Sequence, residues 1–170
     1  MRASRLEWVI VRPTMIFGSS RDRNICRLAK FLRRSPVLPV FGPGTCMMQP
    51  VYVDDLAQAL VAALVRPEAI RREYNLSGRD PLSFNDLART TAALMGKKVR
   101  LLHIPHRPVV RLLEFLERRK LRLPIRAEQI QRLNEDKAFA WTDAARDLGY
   151  APVDFPSAMR LELAELAPRP

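Results

Sequence analysis

Apolar and polar positions change period several times along the chain, and each change marks an expected element. Trp8 to Val11 is an unbroken run of β-branched and aromatic residues, the pattern of a strand buried on both faces. Arg12-Pro13 ends it, because proline has no ladder donor and restricts the residue before it. Gly18-Ser19-Ser20 reads as a loop. Between Arg23 and Arg34, Ile25, Leu28, Ala29 and Leu32 fall at helical spacing with most basic residues on the other faces, which predicts an amphipathic helix. Ser35 to Gly44 holds three prolines and two glycines around Val37, Leu38, Val40 and Phe41, as expected of turns flanking a short extended segment. Pro50 to Val53 is a second expected strand, and Asp54-Asp55 stands where an acidic cap would open a helix from Leu56 to Val65.

Glu73 to Leu76 is a third expected strand. Ser83-Phe84-Asn85-Asp86 resembles a capping box, and the helix it opens runs to Met95, where Gly96 ends it. Val99 to Ile104 is again extended. Helical stretches follow at Pro108 to Lys120, Ala127 to Asn134, Thr142 to Leu148 and Pro156 to Leu166. Strands alternating with helices predict an α/β fold, and the helix-rich second half predicts a lobe packed to one side.

Composition changes this picture in one respect. Apolar residues make up 48% of the 170 and charged residues 28%, which is ordinary for a globular domain and argues against wholesale disorder. The longest apolar run, Leu60 to Val65, is far below the roughly 20 residues of a bilayer span, and Met1 to Glu7 lacks the apolar centre of a signal peptide. Cys26 and Cys46 lack metal-ligand spacing and fit a reducing cytoplasm. Charge is the exception: 29 Lys and Arg against 18 Asp and Glu leave +11, concentrated from Arg21 to Arg34 and from Lys97 to Arg126. Solvated helix faces account for such clusters, and so would a module that binds nucleic acid or an anionic membrane through Arg107 to Arg122.

The chemistry that is missing narrows the candidates. No glycine-rich turn follows a strand, so a pyrophosphate cradle at a helix N-terminus is not expected. The sequence has no Tyr-x-x-x-Lys, and His103 and His106 lack the spacing of a helical metal pair, so neither a catalytic residue nor a metal site is assigned.

Four landmarks nevertheless occur in a familiar order: Val9-Ile10-Val11-Arg12-Pro13-Thr14-Met15-Ile16-Phe17-Gly18, then Val51-Tyr52-Val53-Asp54-Asp55-Leu56-Ala57, then Tyr74-Asn75-Leu76 followed by Ser83-Phe84-Asn85-Asp86-Leu87, then Leu148-Gly149-Tyr150-Ala151-Pro152. Together they resemble the extended and atypical short-chain dehydrogenase/reductases, the NAD-dependent epimerase/dehydratase family. The stretches Ala127 to Ile130 and Leu133 to Asp136 are similar to the atypical branch that contains the nucleotide-binding accessory subunit of respiratory complex I.

The resemblance implies a cytoplasmic protein acting on a small molecule, a nucleotide-sugar or a relative of one, with NAD or NADP as cofactor. Pro13, Thr14 and Met15 would border the cofactor, and Arg23, Asn24 and Gln49 would face the substrate. Many nucleotide-sugar epimerases carry an Arg-Asp pair where this chain has Met48-Gln49, so a bidentate phosphate fork is missing there. Because β-strand character begins almost at residue 1, the chain is expected to be the C-terminal part of a Rossmann-like fold. Residues 1–65 would hold the late strand, loop and helices, with few short parallel strands, and residues 66–170 a helix-rich substrate lobe. As a substrate-side portion without its N-terminal Rossmann half, it is expected to be inactive alone and to hold the cofactor weakly. It is also expected to cover the Trp8 to Val11 edge by self-association or by pairing with Val51 to Val53 and Glu73 to Leu76.

Overall fold

The computed structural model describes residues 6–19, 22, 24–105, 107–111 and 135–166. In chain order the elements are β1 (Val9–Pro13), β2 (Ile16–Phe17), α1 (Ile25–Arg34), β3 (Val37–Phe41), β4 (Met47–Met48), β5 (Val51–Tyr52), α2 (Val53–Val65), a 3-10 turn (Pro67–Ala69), β6 (Arg72–Leu76), β7 (Leu82–Ser83), α3 (Phe84–Leu94), β8 (Arg100–Ile104), α4 (Thr142–Leu148) and α5 (Phe155–Glu165). The expected helices at Pro108 to Lys120 and Ala127 to Asn134 lie largely or wholly outside the described residues, as does most of the proposed Arg107 to Arg122 contact helix; residues 107–111 are helical.

Strands pair two by two. β1 runs parallel to β6, with Val9 opposite Arg72 and Pro13 opposite Leu76. β3 runs parallel to β8 and β2 to β5, and among the described residues only β4 and β7 are antiparallel. Parallel pairing needs a long crossover, and here the connections supply helices that cover the strands. α2 and α4 pack on β1 and β6 through Leu56, Ala59, Ala63, Tyr74, Leu76 and Leu148. α1, α3 and α5 meet around Phe17, Ile25, Leu87 and Met159, while Leu32, Ala88 and Ala92 bury Leu38 and Val40 of β3.

These pairings correct the expected fold class. The expectation made residues 66–170 a helix-rich substrate lobe, but the extended runs expected at Glu73 to Leu76 and Val99 to Ile104 are β6 and β8, full partners in parallel pairs with β1 and β3. The α/β architecture therefore runs through most of the chain. Helical periodicity after residue 66 is easy to read, whereas Arg72–Leu76 and Arg100–Ile104 are only five residues each and mix charged with apolar positions. Of the two partners expected for the first strand, Glu73 to Leu76 is used, and Val51 to Tyr52 pairs with β2 instead.

Two helix starts show how local chemistry sets these elements. Ser83 accepts a hydrogen bond from the Asp86 N–H at 3.1 Å and donates to the Asp86 carboxylate at 2.6 Å, so α3 is capped as its sequence indicates. α2 begins earlier than expected, at Val53, with Tyr52 as N-cap. Asp54 and Asp55 then lie in its first turn, where negative charge suits the helix dipole, and Asp55 accepts instead from the Val153 N–H at 3.0 Å. Among the described residues no helix is long and apolar enough to cross a membrane.

Candidate functional site

Open α/β structures bind ligands beyond the C-terminal ends of their strands, and in the β1–β6 pair four separate segments converge there. The ladder continues one step past Pro13, as the Thr14 N–H donates to the Leu76 carbonyl at 3.2 Å. Thr14 turns its hydroxyl onto the Gln49 carbonyl, and the Met15 carbonyl accepts from the Val51 N–H at 2.9 Å. Residues 13–15 are thereby stitched both to the end of β6 and to the segment entering β5.

Gln49 is the centre of the cluster, and it is only 4% exposed. Its side-chain amide donates to the Gly78 carbonyl at 2.7 Å, and its Oε1 accepts from the Phe139 N–H at 2.8 Å. The Gly78 N–H returns a bond to the Gln49 carbonyl at 3.2 Å. Such an arrangement demands a carboxamide, since one end must donate and the other accept. Backbones cross so closely here that a Cβ on Gly78 would lie 2.0 Å from the Pro50 carbonyl oxygen. Glycine is required at 78 for that approach.

The fourth segment, residues 135–141, is strapped across the strand ends. Ser77 donates to the Phe139 carbonyl at 2.8 Å, the Tyr150 hydroxyl donates to the Ser77 carbonyl at 2.8 Å, and the Trp141 indole donates to the Arg79 carbonyl at 3.2 Å. Further along, the Met47 N–H donates to the Asp136 carboxylate at 2.8 Å and the Lys137 N–H to the Met47 carbonyl at 2.7 Å. Beside this strap a cavity of about 60 Å³ is lined by Pro39 to Phe41, Gly44, Cys46, Met48 and Phe84. Burial, reinforced by Asp136, pushes the Cys46 thiol above its ordinary value.

Behind the loop that leaves β2, α5 inserts Glu162 with no exposed surface. Phe17 packs against Phe155 and Tyr52 there, at centroid distances of 5.4 and 5.8 Å. Desolvation, with the negative charges of Asp22 and Glu165, pushes the Glu162 carboxyl up to about 7. The Gly18 N–H pulls the other way but falls short of hydrogen-bonding geometry, and among the described residues neither carboxyl oxygen has a hydrogen-bond partner.

Of the expected site residues, Pro13, Thr14, Met15 and Gln49 come together. Asn24 sits on another segment, exposed at the start of α1, where its N–H donates to Asp22 at 2.9 Å. Arg23 lies outside the described residues. Ser77, Gly78 and Phe139 belong to the cluster and were not anticipated. A small-residue pair closing a strand is the one signal that pointed to Ser77-Gly78, and nothing in the sequence around Phe139 distinguishes it. As a fit to NAD(P), Pro13 and Met15 offer apolar surface for the edge of a flat ring; a phosphate cradle is not found among the described residues.

The profile of the NAD dependent epimerase/dehydratase family matches residues 1–77. Over 100 residues the chain is 33% identical to the mitochondrial NADH dehydrogenase [ubiquinone] 1 alpha subcomplex subunit 9 of Arabidopsis thaliana, covering 58% of this chain and 25% of that protein. It is 34% identical over 105 residues to a ceramide reductase of Caulobacter vibrioides, covering 62% of this chain and 32% of the relative. The solved UDP-glucose 4-epimerase of Thermotoga maritima superposes with a TM-score of 0.71 at 17% identity, covering 97% of this chain and 47% of that one.

These likenesses overturn several expectations. Solved epimerase and dehydratase structures align with 92 to 97% of this chain, so the family's fold spans nearly all of it, and the picture of a mere C-terminal remnant confined to a substrate lobe is wrong. The expectations of an obligatory missing Rossmann half and of inactivity through truncation rested on that picture and fall with it. The chain spans about half the length of the solved structures it matches, and less of its curated relatives.

Proposed function

We propose, from the premise that this chain carries the NAD-dependent epimerase/dehydratase fold, that its strand-end cluster is the meeting place of NAD(P) and a small-molecule substrate. The observation that supports this is the convergence of residues 13–15, 49–50, 76–78 and 139 beyond the C-terminal ends of β1 and β6. In this reading Pro13, Thr14 and Met15 border the cofactor and Gln49 the substrate, while Arg23 and Asn24 are assigned to the substrate from the sequence resemblance alone. When bound, NAD(P) supplies hydride chemistry. The chain's own residues form a rigid floor in which the Thr14 hydroxyl and the Gln49 amide are already satisfied by backbone, so their contribution is shape and water exclusion rather than proton transfer.

The substrate class is a nucleotide-sugar or a related small molecule handled in the cytoplasm by oxidoreduction or isomerisation. One feature favours a relative with an apolar portion. Met48 replaces a cation at the position that would meet a diphosphate, and it lines a cavity whose other walls are Pro39 to Phe41, Cys46 and Phe84. The similarity to a ceramide reductase supports the same choice.

Titration of the chain with NAD+ and NADP+, followed by calorimetry, tests the cofactor assignment. Saturable binding weakened roughly tenfold by Met15→Asp, with NAD(P) protecting the Thr14 and Met15 amides from exchange, is the expected result. Absence of binding by either nucleotide would overturn it.

A further inference from the structure

Gln49 was expected to face the substrate, yet both ends of its carboxamide are engaged by backbone. Its buried amide ties Gly78 at the end of β6 to Phe139 in the strap, and Ser77 holds the Phe139 carbonyl from the other side. The Phe139 backbone is thus pinned at N–H and carbonyl while the residue remains 51% exposed. An aromatic residue held so firmly in the open is an unusual use of two buried polar side chains.

We propose that Gln49 is a positioning residue and Phe139 a specificity-determining one: the Gln49 clamp fixes Phe139 as the wall met by an apolar chain of the substrate. The inference rests on the reading that the strand ends border the substrate, and it adds the substrate class and the residue that selects it. Sequence spacing hides the pair, because Gln49 and Phe139 are 90 positions apart. Exposed aromatic surface of this kind contributes by burial against a hydrocarbon and supplies neither charge nor hydrogen bond to a diphosphate.

The test uses the NAD+-loaded chain and two probes, a long-chain methyl ketone and UDP-glucuronate. Phe139→Ala removes the wall and leaves the clamp; ketone affinity is expected to fall roughly tenfold while NAD+ affinity stays within about twofold. Gln49→Glu is the second variant. At about pH 8 its carboxylate has no donor for the Gly78 carbonyl, so the strap loosens, Trp141 emission shifts and ketone affinity falls. At about pH 5.5 a protonated carboxyl again both donates and accepts, and affinity recovers. A merely structural role would not produce that recovery in ligand affinity. Combining the two variants at the higher pH is expected to cost no more than the Phe139 change alone. Unchanged ketone affinity in Phe139→Ala, additive losses in the double variant, or preference for UDP-glucuronate over the ketone would each overturn the inference with the cofactor reading intact. Failure of the unaltered chain to bind NAD+ or either probe would overturn both.

Discussion

The two ends of the β1–β6 pair are built on opposite principles. At the C-terminal end, polar groups are buried and answered one by one: Thr14, Gln49, Ser77, Gly78 and Phe139 close a network in which each bond joins a different chain segment. At the N-terminal end an open groove of about 400 Å³ is lined by Glu7, Trp8, Val9, Ala63 to Pro67 and Ile70. There Leu64 is 86% exposed and Val65 and Val61 are also largely exposed. A fixed polar network specifies one geometry, as a site must, whereas apolar surface specifies only contact. The contrast supports the proposal that the site lies at the end where side chains are spent on fixing backbone geometry.

The largest effect expected from breaking the contrast is at Gly78. Gly78→Ala must displace the Gln49-Pro50 backbone, and a loss of about 4 kcal/mol, or failure to fold, is expected in chemical denaturation. A loss below about 1 kcal/mol would show that the crossing is loose. Next is Gln49→Leu, which leaves the buried Gly78 carbonyl and the part-buried Phe139 N–H without their partner; about 3 kcal/mol is expected.

A pH effect follows from Glu162. Its carboxyl titrates at about 7 when folded and near 4.5 when unfolded. Between those values the folded chain holds the extra proton, so stability falls as pH rises, by a total of about 3 kcal/mol. Glu162→Gln is expected to flatten that slope in thermal melts recorded across the range; an unaltered slope would assign it to other groups. The smallest effect belongs to the open end, where Leu64→Ser is expected to change stability by no more than about 0.5 kcal/mol. A large loss there would mean that the groove is not open in solution.

Much of this was legible in the sequence where the signal is local. The α3 cap at Ser83, the α1 periodicity and the extended run that became β8 all rest on spacing within a few residues. β2, β4 and β7 are two residues each, too short for any period to show. Gln49 was singled out through the family resemblance, at the place where many nucleotide-sugar epimerases carry an Arg-Asp pair. Its role as a clamp was not readable, because its partners lie 29 and 90 positions away. The second half was misjudged for the same reason: its extended runs were readable from their own residues, but their pairing with β1 and β3 was not, because the partner of a parallel strand lies far along the chain.

That distance also governs how the chain folds. Val9 pairs with Arg72 and Val37 with Arg100, the same offset in both cases, so the two principal parallel pairs close loops of equal length. Neither has an entropic head start over the other, and both must wait on closures that helices such as α2 and α3 do not require. Helix formation therefore comes early and strand registration late. Since the crossing at Gly78 and the Gln49 clamp exist only after β1 has found β6, the strand-end cluster is among the last parts of the molecule to acquire its shape during refolding.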